Sequence, residues 1–138
     1  MILEEYDFLF ALCSIHISYF LIRYFHLADG LDVKCDKKHL ATRIGLKCFC
    51  QCLINDKELL NKIHDMLLKD LFEVWLSYRK KVKGVTLLDF DIAESLIKEK
   101  FRTITDISYY KSFEELQNRY SKITEKIPEK RPSLVNRP

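Results

Sequence analysis

From Phe8 to Ile22 the chain reads FLFALCSIHISYFLI, a run without a formal charge, bounded by Asp7 and Arg23. Crossing a bilayer takes about 20 apolar residues. This run is shorter, and Ser14, His16 and Ser18 stand in its middle, where lipid penalises polar groups. A secretory leader opens with positive charge and closes at a small-residue cleavage site, whereas Glu4, Glu5 and Asp7 precede this run and no such site follows it. At about 100° per residue, Asp7, Ala11, Ser14 and Ser18 fall on one narrow stripe, with aliphatic and aromatic side chains around the rest. The run therefore predicts a nearly buried core helix from about Glu4 to Ala28, with one small-residue seam open to another helix or to water.

The rest of the chain supports a helical bundle. Its 138 residues, 48% hydrophobic and 31% charged, include only three Gly and three Pro. So few breakers favour long helices over strands and turns, and the length suits one domain with a real core. Asp29-Gly30 is expected to end the first helix, and Asp36 to cap a second that runs to Ile54. Asn55-Asp56-Lys57-Glu58 has the cap-plus-acid pattern of a third helix start. In that helix Leu60, Ile63, Leu67, Leu71, Val74, Trp75, Tyr78 and Val82 share one side until Gly84. Thr86-Leu87-Leu88-Asp89 opens a fourth through Phe101, with Leu88, Ile92, Leu96 and Phe101 inward. Thr103 to Lys111 shows no clear period. Ser112-Phe113-Glu114-Glu115 is a capping box for a fifth helix with Phe113, Leu116, Tyr120 and Ile123 on its apolar line. The expectation is a single all-α bundle of about five helices over residues 1–127, followed by an extended basic, Pro-containing tail over 128–138.

The five cysteines are odd in number and three of them fall in Cys48-Phe49-Cys50-Gln51-Cys52, whereas a secreted disulfide framework shows an even, spread-out set. Free thiols point to a reducing compartment, cytosol or nucleus. Cys35, His39, Cys48 and Cys52 are the right ligand types for zinc, but one helix over 36–54 would hold His39 and Cys48 about 13 Å apart along its axis. Helical phase instead puts Leu40, Ala41, Ile44, Cys48 and Cys52 on one face, which makes Cys48 and Cys52 small core hydrophobes. Cys50 faces Arg43 and Lys47 and is the reactive-thiol candidate.

Catalytic signals are missing. Gly occurs only at 30, 45 and 84, which leaves no phosphate-cradling loop or nucleophile elbow. His64 falls on the apolar stripe of the third helix and His16 inside the first, both positions of structural histidines. No enzyme activity and no cofactor are expected. Arg79, Lys80, Lys81 and Lys83 form a basic run at the end of the third helix, where they complement the helix dipole. With a net charge of +3 they keep weak nucleic-acid binding as an alternative, without a recognition signature.

Ile17-Ser18-Tyr19-Phe20-Leu21-Ile22-Arg23-Tyr24 resembles the first-helix motif of Bcl-2-type bundles, in which paired aliphatics precede an aromatic and a basic residue. The resemblance covers that helix alone. The family's Asn-Trp-Gly-Arg type motif is absent, and Asp89 to Phe101 is more polar than the family's buried central hairpin. It implies an alternative: a small, viral-type apoptosis regulator holding a partner helix in a groove. The main expectation rests on Tyr6, Phe8, Phe10, Tyr19, Phe20, Tyr24 and Phe25, which ring the first helix in more aromatic surface than a small monomer covers. Contiguous exposed apolar surface marks interfaces. The chain therefore reads as a non-enzymatic adaptor or regulatory module that binds a protein partner or forms a homodimer through that helix, away from membranes.

Overall fold

The computed structural model describes residues 2–27, 40–86, 89–107 and 109–128, with side chains of the first helix from Leu9 onward. Among the described residues five helices follow in order: α1 (Ile2–Tyr24), α2 (Arg43–Asn55), α3 (Leu59–Lys81), α4 (Phe90–Ile107) and α5 (Phe113–Lys122). Among the described residues there is no strand. The architecture is the all-α bundle expected. α1 packs most extensively on α3, α3 on α4, and the shorter α2 and α5 close the remaining sides.

α3 is where local pattern and structure agree best. Ile63, Leu67, Leu71, Val74, Trp75, Tyr78 and Val82 are all buried; removing a side chain of this kind from water is worth roughly 1.5–3 kcal/mol. Asp56 starts the helix by accepting the Glu58 N–H at 3.1 Å and holding Lys62 at 2.8 Å. α5 also begins as expected, with Ser112 Oγ accepting the Glu115 N–H at 3.2 Å.

Three boundaries differ from the sequence expectation. α1 stops at Tyr24 rather than near Ala28. Leu27 N–H bonds the Ile22 carbonyl (2.9 Å), His26 N–H bonds that of Arg23 (3.2 Å), and His26 takes a φ of 54°. This is a Schellman closure with histidine where glycine is usual. α2 starts at Arg43, capped by Thr42, whose Oγ1 accepts the Gly45 N–H at 3.1 Å; Asp36 lies outside the described residues. α4 runs on to Ile107, one and a half turns past Phe101. There the hydroxyls of Thr103 and Thr105 bond the carbonyls four residues back, at 2.8 and 2.9 Å, so each finds its partner within the helix. At its start Thr86 N–H donates to the Asp89 carboxylate (3.0 Å) while Asp89 N–H bonds the Thr86 carbonyl (2.9 Å).

These shifts move two faces. α2 buries Gly45, Cys48, Phe49 and Cys52, and Ile44 is exposed, because the helix presents its glycine side to α4. A Cβ on Gly45 would meet the Thr105 carbonyl oxygen at 3.0 Å. α4 buries Phe90, Ala93, Ile97, Phe101 and Ile104, while Ile92 and Leu96 lie at the edge of the core and Leu88 is outside the described residues. The stripe centres on a helix starting at Phe90, about one turn later than expected.

Candidate functional site

α1 divides into two faces. Leu9, Cys13, Ile17, Phe20, Leu21, Tyr24 and Phe25 are buried. Three members of the expected aromatic interface thus belong to the core instead. Phe25 stacks on Phe49 of α2 at 4.0 Å, and Phe20, Tyr24 and Phe25 all meet Phe101 of α4 within 6.1 Å. Tyr24 also donates to Asp106 at 2.8 Å. The residues are aromatic because they lock three helices together, which sequence alone does not distinguish from docking. The opposite face is different. Ala11, Ile15 and Tyr19 are exposed, Ile15 to 66%, and Ser14, Ser18 and Ile22 flank them half-buried. Phe10 is half-exposed, edge-on to Phe72 of α3. The side chains of Tyr6 and Phe8 lie outside the described residues.

The small-residue seam opens on a groove of about 270 Å3 between α1 and α3, lined in part by Ser14, Ser18, Leu21 and His64. His64 Nε2 lies 3.2 Å from Ser14 Oγ, and its Nδ1 lies 3.2 Å from Asp65 Oδ1. Serine, histidine and aspartate in that sequence of contacts resemble a nucleophile, base and orienter. Two features work against that chemistry. Nε2 also lies 3.3 Å from the Ser14 carbonyl, an acceptor that favours a proton on Nε2, where a base needs a lone pair. Ser14 stands in mid-helix, where backbone N–H groups are spent on the helix ladder and cannot form an oxyanion hole. His64 acts as a tie between α1 and α3.

A second cluster lies at the junction of α3, α4 and α5. Lys100 Nζ is 2.8 Å from Glu125 and 3.5 Å from Asp70, and sits 4.0 Å from the centre of the Tyr120 ring. The Tyr120 hydroxyl donates to Asp70, and the two carboxyl groups share a hydrogen bond. Burial, with that bond from Glu125, pushes Asp70 up to about 7. Glu125 is also penalised by burial, but bonds to Asp70 and Lys100 outweigh this and hold its carboxyl below the usual range. The pair thus retains a proton near neutrality. A raised carboxyl in a cleft is an active-site signal, yet here the four groups satisfy one another. They clamp the chain leaving α5. Sequence reasoning missed this cluster: it joins residues of α3, α4 and the end of α5 that follow no motif, with Asp70 and Glu125 at its extremes.

The thiols divide as the helical phase predicts for Cys48 and Cys52. Both are buried, with sulfurs 2.8 and 3.5 Å from the Tyr110 carbonyl. Burial pushes the Cys52 thiol up to about 11, and burial with the nearby Glu94 carboxylate pushes Cys13 up to about 12; such thiols are poor nucleophiles. Cys50 is exposed on the outer side of α2. Cys35 and His39 lie outside the described residues, and among the described residues no three metal-ligating side chains converge. Arg79, Lys80, Lys81 and Lys83 are exposed at the C-terminal end of α3. His16, expected inside the apolar helix, is half-exposed and paired with Glu94 of α4. Among the described residues no helix is long and apolar enough to cross a membrane.

Compared with known protein families, with curated proteins and with solved structures, the chain matches none.

Proposed function

We propose that this chain is a non-enzymatic protein-interaction module that pairs with a second copy of itself through the outer face of α1. The observation that carries the reading is the exposed stripe of Ala11, Ile15 and Tyr19, bordered by Ser18 and Ile22, on a helix that buries Leu9, Cys13, Ile17, Leu21 and Tyr24 on its other side. The stripe lies within a run that has no formal charge from Phe8 to Ile22, so two copies bring no like charges together along it. Alanine and serine let a second helix approach closely. The run from Phe8 to Ile22 offers about 22 Å of helix, and a self-complementary patch is what a two-fold dimer requires. A partner-helix groove of the Bcl-2 kind fits less well, because the α1–α3 groove holds only about 270 Å3, against a helix roughly 10 Å across.

Ile15→Glu puts one charge at the centre of the stripe, where no core contact depends on it. Light scattering on the unsubstituted chain at micromolar concentration is expected to give twice the chain mass, and Ile15→Glu to give the single-chain mass with unchanged helical circular dichroism. A single-chain mass for the parent protein, or a dimer that survives Ile15→Glu, overturns the reading.

A further inference from the structure

Between the C-terminal half of α1 and the middle of α4 lies an open groove of about 370 Å3. Three cations border it: Arg23 from α1, and Lys98 and Arg102 from α4. Each is held on an aromatic ring. The Arg23 guanidinium carbon is 5.3 Å from the centre of Tyr19, while Lys98 Nζ and the Arg102 guanidinium carbon are 5.6 and 5.9 Å from the centre of Phe20. A ring face attracts a cation through its quadrupole without consuming directional N–H bonds. On Lys98 and Arg102, which carry the proposal, the ring contact positions the charge without taking up an N–H.

Arg102 carries the point furthest. Its Nε is buried and makes no hydrogen bond, so the Nη groups are the ones that can meet a ligand in the groove. Its Nη1 is 3.6 Å from Glu99, beyond a good N–H···O bond, and Glu99 is 75% exposed, so that pairing is weak. Lys98 is shared with Glu94 at 3.3 Å, and Glu99 is the acid among the residues that line the groove with Lys98 and Arg102. Ser95 adds a hydroxyl at the same edge.

We propose that this groove binds a small phosphomonoester, with its phosphate on Arg102 and Lys98 and its organic part along the half-exposed ring of Tyr19. A guanidinium fork with open donors matches two phosphate oxygens at once. The volume falls in the range of small-molecule sites, roughly 300–1,000 Å3, and leaves room for more than a bare anion. The phosphate-binding Arg102 and Lys98 stand on α4, outside the proposed dimer stripe, while Tyr19 belongs to both, so the titration is made on the Ile15→Glu chain as well as on the parent.

The test is calorimetric titration of the full chain with phenyl phosphate, inorganic phosphate and phenol at low ionic strength. Phenyl phosphate is expected to bind most tightly, inorganic phosphate more weakly, and phenol not measurably. Arg102→Ala is expected to weaken phenyl phosphate by about tenfold or more, and Arg102→Lys, which keeps the charge but loses the fork, to recover part of that. Lys98→Gln, at a half-buried site, supplies a second variant with a several-fold loss if Arg102→Ala does not fold. Absence of saturable binding to phenyl phosphate, or affinity unchanged in a folded Arg102 or Lys98 variant, overturns the proposal. So does retention on phosphatidylserine vesicles without phenyl phosphate binding, which would assign the cations to a lipid surface.

Discussion

Lys100 and Phe101 are neighbours on α4, yet they enter two interiors of opposite chemistry. Phe101 meets the rings of Phe20, Tyr24 and Phe25, a region of carbon surface closed by the Phe25–Phe49 stack. Lys100 enters the junction with Asp70, Tyr120 and Glu125, where each group is held by charge or by a hydrogen bond. The aromatic region is stabilised by area removed from water and by close fit, neither of which involves a proton. The polar junction depends on how many protons it holds. One helix thus links a region indifferent to pH with one that responds to it.

The largest effect is expected in the aromatic region. Phe25→Ala removes a fully buried ring that contacts α2 and α4 at once, and should cost about 3–5 kcal/mol. Urea unfolding measures it, and the loss should be the same on either side of neutral pH. A cost that changes with pH would mean the two regions are not separable.

Asp70→Asn tests the other side. The folded chain holds the Asp70 proton up to about 7, whereas the unfolded chain releases it near 3.8. The contribution of this group is therefore complete below the unfolded value, declines as pH rises from about 4 to about 7, and is flat above. Glu125 acts in the opposite sense and only in more acid solution, since its folded value is lowered. Between about pH 5 and pH 7 the parent protein should lose stability at this site, and Asp70→Asn, which cannot titrate, should remove that slope at a cost of about 1 kcal/mol for altered hydrogen bonding. Parallel pH profiles for the two proteins would show that Asp70 is not the group retaining the proton.

The two regions also differ in how far the sequence reveals them. The stripe of α3 and the Ser112 cap of α5 are local patterns three or four residues apart, and both are found where the pattern puts them. The aromatics of α1 are visible as a group, but a helix apolar on nearly every side does not say which rings face inward, and Phe20, Tyr24 and Phe25 face the core. The junction is invisible beforehand because Asp70 and Tyr120 meet across fifty positions: Asp70 reads alone as an ordinary surface residue and Tyr120 as one more member of the apolar line of α5. The phosphomonoester groove is hidden likewise. Arg23, Lys98 and Arg102 make no charge run, and only the packing of α4 on α1 brings them to the same two rings.

The smallest expected effect concerns the turn that closes α1 beside the aromatic region. His26 holds a φ of 54°, a left-handed conformation that costs a residue with a Cβ about 1–2 kcal/mol. Its side chain is exposed, so little packing offsets that cost. Glycine adopts the same conformation freely, but loses more chain entropy on folding, by about 0.5–1 kcal/mol. His26→Gly should therefore raise stability by roughly 0.5–1 kcal/mol, seen as a small increase in the midpoint of thermal unfolding. The gain should also persist in the Phe25→Ala background if the turn and the rings act independently. A gain that vanishes there would mean that the turn serves only to aim Phe25 at Phe49. A loss in the parent background would mean that the imidazole itself holds the closure together.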